Sequence, residues 1–307
     1  MRTDGASFLN PRILLPFIVV TLIWGSTWIV IRDQFGAVPA TWSVTYRFAI
    51  AAAATFAYAN ATGASLGIGR HGHLLALTFG IPQFCLNFNL VYAAEHHVTS
   101  GLVAVVFALL LVPNAALSRA FLKHPLSSRF LLGSAIAIVG VGLLFVQEMR
   151  ASGGREAEVA LGIALTLLAV LSASVSNVLQ GSQRLRARPV PPMLAWGMVY
   201  GVLCDGAVAA LFYGPPRFDL RPDYIAGLLY LGLCASALAF TLYFGIIRAI
   251  GPGKAAYSSL LVPIIAMGFS TAFEGYHWSR PAAAGGALAL AGLFIALRSA
   301  RRPAAEA

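Results

Sequence analysis

The chain has 307 residues, of which 59% are hydrophobic and 10% charged, with a formal net charge of +10. Soluble domains hold roughly 45–50% apolar and about 25% charged residues, so this composition excludes a water-soluble globule and predicts an integral membrane protein. No polar segment between apolar runs exceeds about fifteen residues, which leaves no room for a soluble catalytic or nucleic-acid-binding domain.

Apolar runs near the ~20 residues that cross a bilayer predict ten spans. Short polar loops between runs of that length exclude a barrel, so the expected fold is an all-α integral membrane protein with ten transmembrane helices. Span one, at about 13–31, holds Trp24, Gly25, Ser26, Thr27 and Trp28 in its core. Residues 1–31 followed by Ala37-Val38-Pro39-Ala40 also resemble a secretory signal, but a signal core is plainly aliphatic and this one is not. Trp24 lies too deep for an interfacial anchor, leaving a stacking wall for a substrate or core filling as its two readings. Ser26, like other intramembrane polar groups, is expected to face a cavity or a neighbouring helix.

Span two, at about 41–60, carries Arg47, and span three, at about 74–93, carries Gln83 and Asn87 just after Pro82. Four residues apart, the two amides stack on one helical face. They both donate and accept, which suits a zwitterion, and an interhelical hydrogen bond is the structural alternative. Span four, at about 99–121, contains Pro113, and span five, at about 129–147, contains Gly133 and Gly140. Span six, at about 159–180, offers Asn177 beside several serines, and span seven, at about 191–213, offers Gly197, Gly201 and Asp205. Tyr243 in span eight, at about 224–247, answers Tyr92 of span three. Tyr257 opens span nine, at about 254–274, ahead of Pro263, and span ten, at about 281–298, holds Gly285 and Gly292.

Arg47 and Asp205 are the only charges well inside spans, and their depths match. They are expected to pair, or to take a substrate carboxylate and ammonium separately. Asp205 is also the strongest candidate for coupling to protons, with Glu95 and Glu274 nearer span ends. Cys85, Cys204 and Cys234 are scattered singly and the histidines lack a third ligand at a metal spacing, so no metal and no cofactor is expected.

Leu110-Leu111-Val112-Pro113 recurs as Leu260-Leu261-Val262-Pro263, and Ala120-Phe121, Gly133 and Gly140 are answered by Ala272-Phe273, Gly285 and Gly292. The chain is an internal duplication: a first repeat over 1–147, a linker over 148–158 and a second repeat over 159–307. Five spans per copy make the copies antiparallel, an architecture of transporters with a central site. Pro113 and Pro263 each remove a backbone donor in mid-span and are expected to kink or gate equivalent helices. With both termini cytoplasmic, fourteen basic residues fall inside, six outside and one in the bilayer. The positive charge therefore reads as topology and not as a nucleic-acid footprint. The expected partners are a small-molecule substrate and the bilayer; a homodimer through Gly140 and Gly292 and a monomer both remain open.

Trp24-Gly25-Ser26-Thr27, Arg47-Phe48, the Pro113 and Pro263 spans, and Glu274 followed by Gly285 and Gly292 resemble the drug/metabolite transporter superfamily. Within it, the chain is similar to the ten-helix EamA-type exporters from about residue 13 to 298. The resemblance implies export of small metabolites, commonly amino acids, across a bacterial inner membrane through a central cavity, and it looks closest to aromatic amino-acid exporters. One departure is that the acid common after the fourth helix of each half is Glu274 in the second copy but Leu122 in the first. A nucleotide-sugar or sugar-phosphate carrier of the same superfamily is the alternative, although phosphates want two or more buried cations and only Arg47 is offered. A membrane enzyme lacks support, since neither His-Glu-x-x-His nor Gly-x-Ser-x-Gly occurs.

Overall fold

The structure, a computed structural model, describes residues 10–122, 126–180, 182–250 and 258–299. Its regular structure there is entirely helical, and ten long helices answer the ten expected spans one for one. They are α1 (Pro11–Asp33), α2 (Ala40–Ala61), α3 (Gly69–Glu95), α4 (100–122), α5 (Ser128–Ala151), α6 (Glu156–Gln180), α7 (Val190–Tyr213), α8 (222–250), α9 (Ser258–Phe273) and α10 (Arg280–Ser299). Seven of them, α1 and α3 to α8, are long and apolar enough to cross a membrane. Local signals set several ends: the Asn10 side chain accepts from the Arg12 amide to cap α1, and Ser127 accepts from Phe130 to cap α5. Glu156 and Glu158 lie in the first turn of α6, where the helix dipole favours acids. The outer faces are apolar, with Leu131, Leu132, Ile138 and Val139 of α5 and Leu167, Leu168 and Leu171 of α6 exposed, as a lipid-facing surface requires.

The helices of the two copies run in opposite directions. Gly133 of α5 lies against Gly292 and Ala296 of α10, while Gly140 lies against Gly285 and Ala289, so numbers rise on one helix as they fall on the other. A Cβ added at Gly133 would come 2.6 Å from the Gly292 carbonyl oxygen, and one at Gly140 would come 2.7 Å from that of Gly285. Only glycine permits backbones to approach so closely. These are equivalent helices of the duplication, so their antiparallel contact makes the repeat inverted. The same holds for α2 and α7, where Trp42 donates to the Gly214 carbonyl at 3.3 Å and Thr55 donates to the Met198 sulfur at 3.8 Å. Neighbour relations are exchanged accordingly: α1 packs on α8 and α9 as α6 packs on α3 and α4. Gly140 and Gly292, read from sequence as a possible homodimer face, are thus consumed within one chain.

The halves join through 152–155, a shorter connection than the 148–158 expected, because α5 and α6 run further than hydropathy suggests. Gly153 and Gly154 make the turn with φ of 60° and 97°, which other residues adopt at a cost. The end of the bundle with this connection is called the linker end below, and the opposite one the termini end.

Three helices depart from α geometry in the membrane core. Residues Ile81–Leu86 of α3 form a π-helical segment, and Tyr230–Leu238 of α8 form its counterpart in the second copy. Pro82 accounts for the first by removing a donor, but the second has no proline; there Ser236 donates its hydroxyl to the Leu231 carbonyl five residues back at 2.8 Å. In α4 a 3-10 turn at Ala108–Leu110 precedes Pro113, where the missing amide would have bonded Leu109. Ser100–Val106 of α4 are all buried, whereas no residue over 111–121 is. Near the linker end, Gly101 of α4 fits against Met267 and Ser270 of α9. The second half of α4 leans on α6 and α9 leans on α1, so the two proline helices meet at the linker end and diverge towards the termini end.

Candidate functional site

The predicted residues fall into two groups along the bundle axis. Trp24 of α1 and Tyr243 of α8 meet with ring centroids 4.9 Å apart, and Phe240 sits edge-on to the same indole at 5.5 Å. The Trp24 indole N–H donates to the Ala235 carbonyl at 3.2 Å, within the π-helical segment of α8. A π segment leaves carbonyls without their usual partners, and this indole takes one of them. Ser26 faces α8 too, its hydroxyl 2.6 Å from that of Tyr230, and so serves to dock α1 on α8. One turn beyond Trp24, Trp28 packs on Phe107 of α4 at 5.5 Å with its N–H buried and unpartnered.

The second group is amide. Gln83 and Asn87 are 6% and 2% exposed, and Asn87 donates to the Gln83 carbonyl at 3.4 Å. Gln83 Oε1 and Asn87 Oδ1 are buried without a partner. Ser172 of α6 donates to the Pro82 carbonyl at 2.8 Å and fixes the π segment beside them. Asn177 of α6 lies 3.5 Å from Asn114, the residue after Pro113, across the termini-end half of α4. Tyr257 lies outside the described residues. Pro113 and Pro263 are both helix-internal.

The expected ion pair is not formed. Arg47, 1% exposed, donates through Nε to Ser236 at 3.0 Å and lays its guanidinium over Phe88 at 4.4 Å from the ring centre. Asp205 accepts from Asn89 at 2.6 Å and lies against the Cys85 thiol. No ion pair within 4.0 Å joins them, because Arg47 turns to α8 and Asp205 to α3. Matching depth says nothing about which face of a helix a charge occupies. Asn89, missed in the sequence, was within reach of the same reasoning, since it lies four residues from Cys85 on the face opposite Asn87. Tyr92, the counterpart of Tyr243, is fully buried.

The linker end is closed by contacts that spacing does not reveal. Arg32 pairs with Glu274 at 2.9 Å, and Glu274 accepts from the Ser100 hydroxyl at 2.7 Å and from its amide at 3.3 Å. One acid, just past the end of α9, thus ties that end to α1 and to the start of α4. Phe35 stacks on His96 at 3.8 Å, and burial pushes that imidazole below its usual range, with His97 and Arg32 adding to the effect. A groove of about 570 Å3 on the flank of α4, α9 and α10 is lined by Val105, Pro263, Met267, Thr271, Trp278 and Leu290. It includes one of the predicted prolines and none of the predicted binding residues.

Two separate stretches of the chain, 12–146 and 160–298, each match the EamA-like transporter family. The chain belongs to that family. The paired match coincides with the two inverted halves, and the transporter is accordingly a multi-pass membrane protein. Among its relatives, protein PagO of Salmonella typhimurium is 26% identical over 260 residues, covering 85% of this chain and 84% of that protein. The probable amino-acid metabolite efflux pump of the same organism is 24% identical over 286 residues, covering 91% and 92%. The inner membrane transporter YedA of Escherichia coli, whose role is uncharacterized, is 27% identical over 266 residues, covering 84% and 82%. A solved crystal structure at 17% identity superposes with a TM-score of 0.67 over 92% of this chain and 95% of that one, a likeness of fold alone.

Proposed function

We propose that the transporter exports amino acids, preferring aromatic or apolar side chains, by alternating access between its inverted halves. The observation that carries this reading is that one helix bundle holds both unpartnered buried amide oxygens, on α3, and an indole wall, on α1. Gln83 Oε1 and Asn87 Oδ1 accept from a substrate ammonium group, and Trp28 offers an N–H to its carboxylate. Phe107 and the Trp24, Phe240 and Tyr243 rings supply the apolar wall. The excess of basic residues in the termini-end loops supports a cytoplasmic termini end, and on that reading the described state has its outer end closed and its proline helices parted inwards. The relative named as an amino-acid metabolite efflux pump supports the same substrate class. A phosphate-bearing substrate is disfavoured, because Arg47, the one cation deep within the spans among the described residues, is buried against Phe88 and Ser236.

Purified protein in liposomes, loaded with unlabelled amino acid and offered labelled amino acids, nucleotide sugars and sugar phosphates, tests this. Counterflow of aromatic or large apolar amino acids is expected, and Asn87→Leu should raise KM by about tenfold, the equivalent of ~1.4 kcal/mol. Counterflow of nucleotide sugars without any amino acid would sink the reading.

A further inference from the structure

Binding a zwitterion leaves one buried group of the linker end without a role. Glu95, the last residue of α3, is 2% exposed, and neither of its carboxylate oxygens has a hydrogen-bond partner. A carboxylate held out of water and unbonded is costly, and a proton on it removes the charge. The charges that act on it come from three other helices: Glu274 beyond α9, Arg32 of α1 and Arg47 of α2. Arg32 is committed to Glu274, and Arg47 uses Nε for Ser236 while its Nη1 is buried and unpartnered. Tyr92, one turn before Glu95, interacts with both Arg47 and Glu95. Asp33, next to Arg32, interacts with Glu274 and Asp223. The first turns of α4 bring no ionisable side chain, Glu156 and Glu158 at the start of α6 are exposed, and His96 is stacked on Phe35.

We infer that Glu95 is a proton-binding site that couples transport to a proton gradient, with Arg47 the cation that receives its carboxylate when the proton leaves. The inference deepens the export reading and rests on it for the cargo. Opening the linker end exposes Glu95 to water on that side, where its carboxylate takes a proton. Closure of Arg32 on Glu274 holds that cation away and buries the neutral carboxyl. Release follows when Arg47 Nη1 turns to the carboxyl: the O–H bond breaks, the proton passes to water in the termini-end cleft, and the carboxylate pairs with the guanidinium. Tyr92, between the two, is the positioning residue. Asp205 differs in that Asn89 donates to its Oδ1, leaving only Oδ2 unpartnered, whereas both oxygens of Glu95 lack a partner.

Two measurements test the site, one of them without cargo. Infrared spectra of wild type minus Glu95→Gln at neutral pH should contain the carbonyl stretch of a protonated carboxylic acid; a difference spectrum without it overturns the inference. In liposomes with an acidic interior, Glu95→Gln should keep counterflow of labelled amino acid but lose gradient-driven accumulation at least tenfold, and Glu95→Asp should restore part of it. Accumulation by Glu95→Gln equal to wild type would also overturn it. If no amino acid moves in wild type while the infrared band is present, the substrate assignment fails and the proton site stands.

Discussion

At the scale of single residues, intramembrane polar groups divide into those already satisfied and those left for something else. Ser26 and Trp24 are satisfied by Tyr230 and the Ala235 carbonyl, Asp205 is bonded to Asn89 through one oxygen only, and Gln83, Asn87 and Trp28 keep buried unpartnered atoms. Polarity of the residue type was visible in the sequence, but its remaining bonding capacity depends on a partner from another helix. That is why Arg47 and Asp205, equal in depth, were wrongly expected to meet. Interhelical hydrogen bonds within membranes contribute on average about 0.6 and at most about 1.7 kcal/mol by double-mutant cycles. A cycle of Asn89→Ala and Asp205→Ala, read by thermal unfolding in detergent, should return a coupling near the upper value because the bond is short. A coupling near zero would return Asp205 to the pool of functional candidates.

At the scale of helices, hydropathy located all ten elements, since an apolar run of bilayer length has few other uses. The interruptions were only half legible. Pro82 and Pro113 marked the π segment of α3 and the 3-10 turn of α4 through their missing donors, but the π segment of α8 contains no proline and is held by a serine and its packing on α1 and α2. The glycines of α5 and α10 were legible as equivalent positions of the repeat, although spacing did not say that the two helices would pack on each other. A side chain at Gly133 must displace the backbone of Gly292 or Ala296. Gly133→Val should therefore destabilise the protein by about 1–3 kcal/mol, lowering its thermal midpoint in detergent, whereas Gly142→Val, with open space around its Cβ position, should leave it unchanged.

At the scale of the whole molecule, the inverted architecture followed from a repeated tetrapeptide and an odd number of spans. The closure of one end did not, because Arg32, Ser100 and Glu274 come from the ends of different helices, where sequence patterns carry little information about pairing. Alternating access requires this closure to break in every cycle. Arg32→Cys combined with Glu274→Cys, oxidised in vesicles, should stop amino-acid counterflow, and reduction should restore it. Undiminished counterflow in the cross-linked protein would mean that the linker end does not open during transport.

The self-pairing of α5 with α10 also bears on how the protein is made. Gly133 and Gly140 emerge from the ribosome with the first half, but the helix whose backbone they receive is the tenth, in the second half. Until it is inserted, α5 carries a glycine-notched face with only lipid against it. The N-terminal half therefore cannot finish folding as an independent module, and a chain truncated before residue 280 would be left with an open seam that quality-control proteases can recognise.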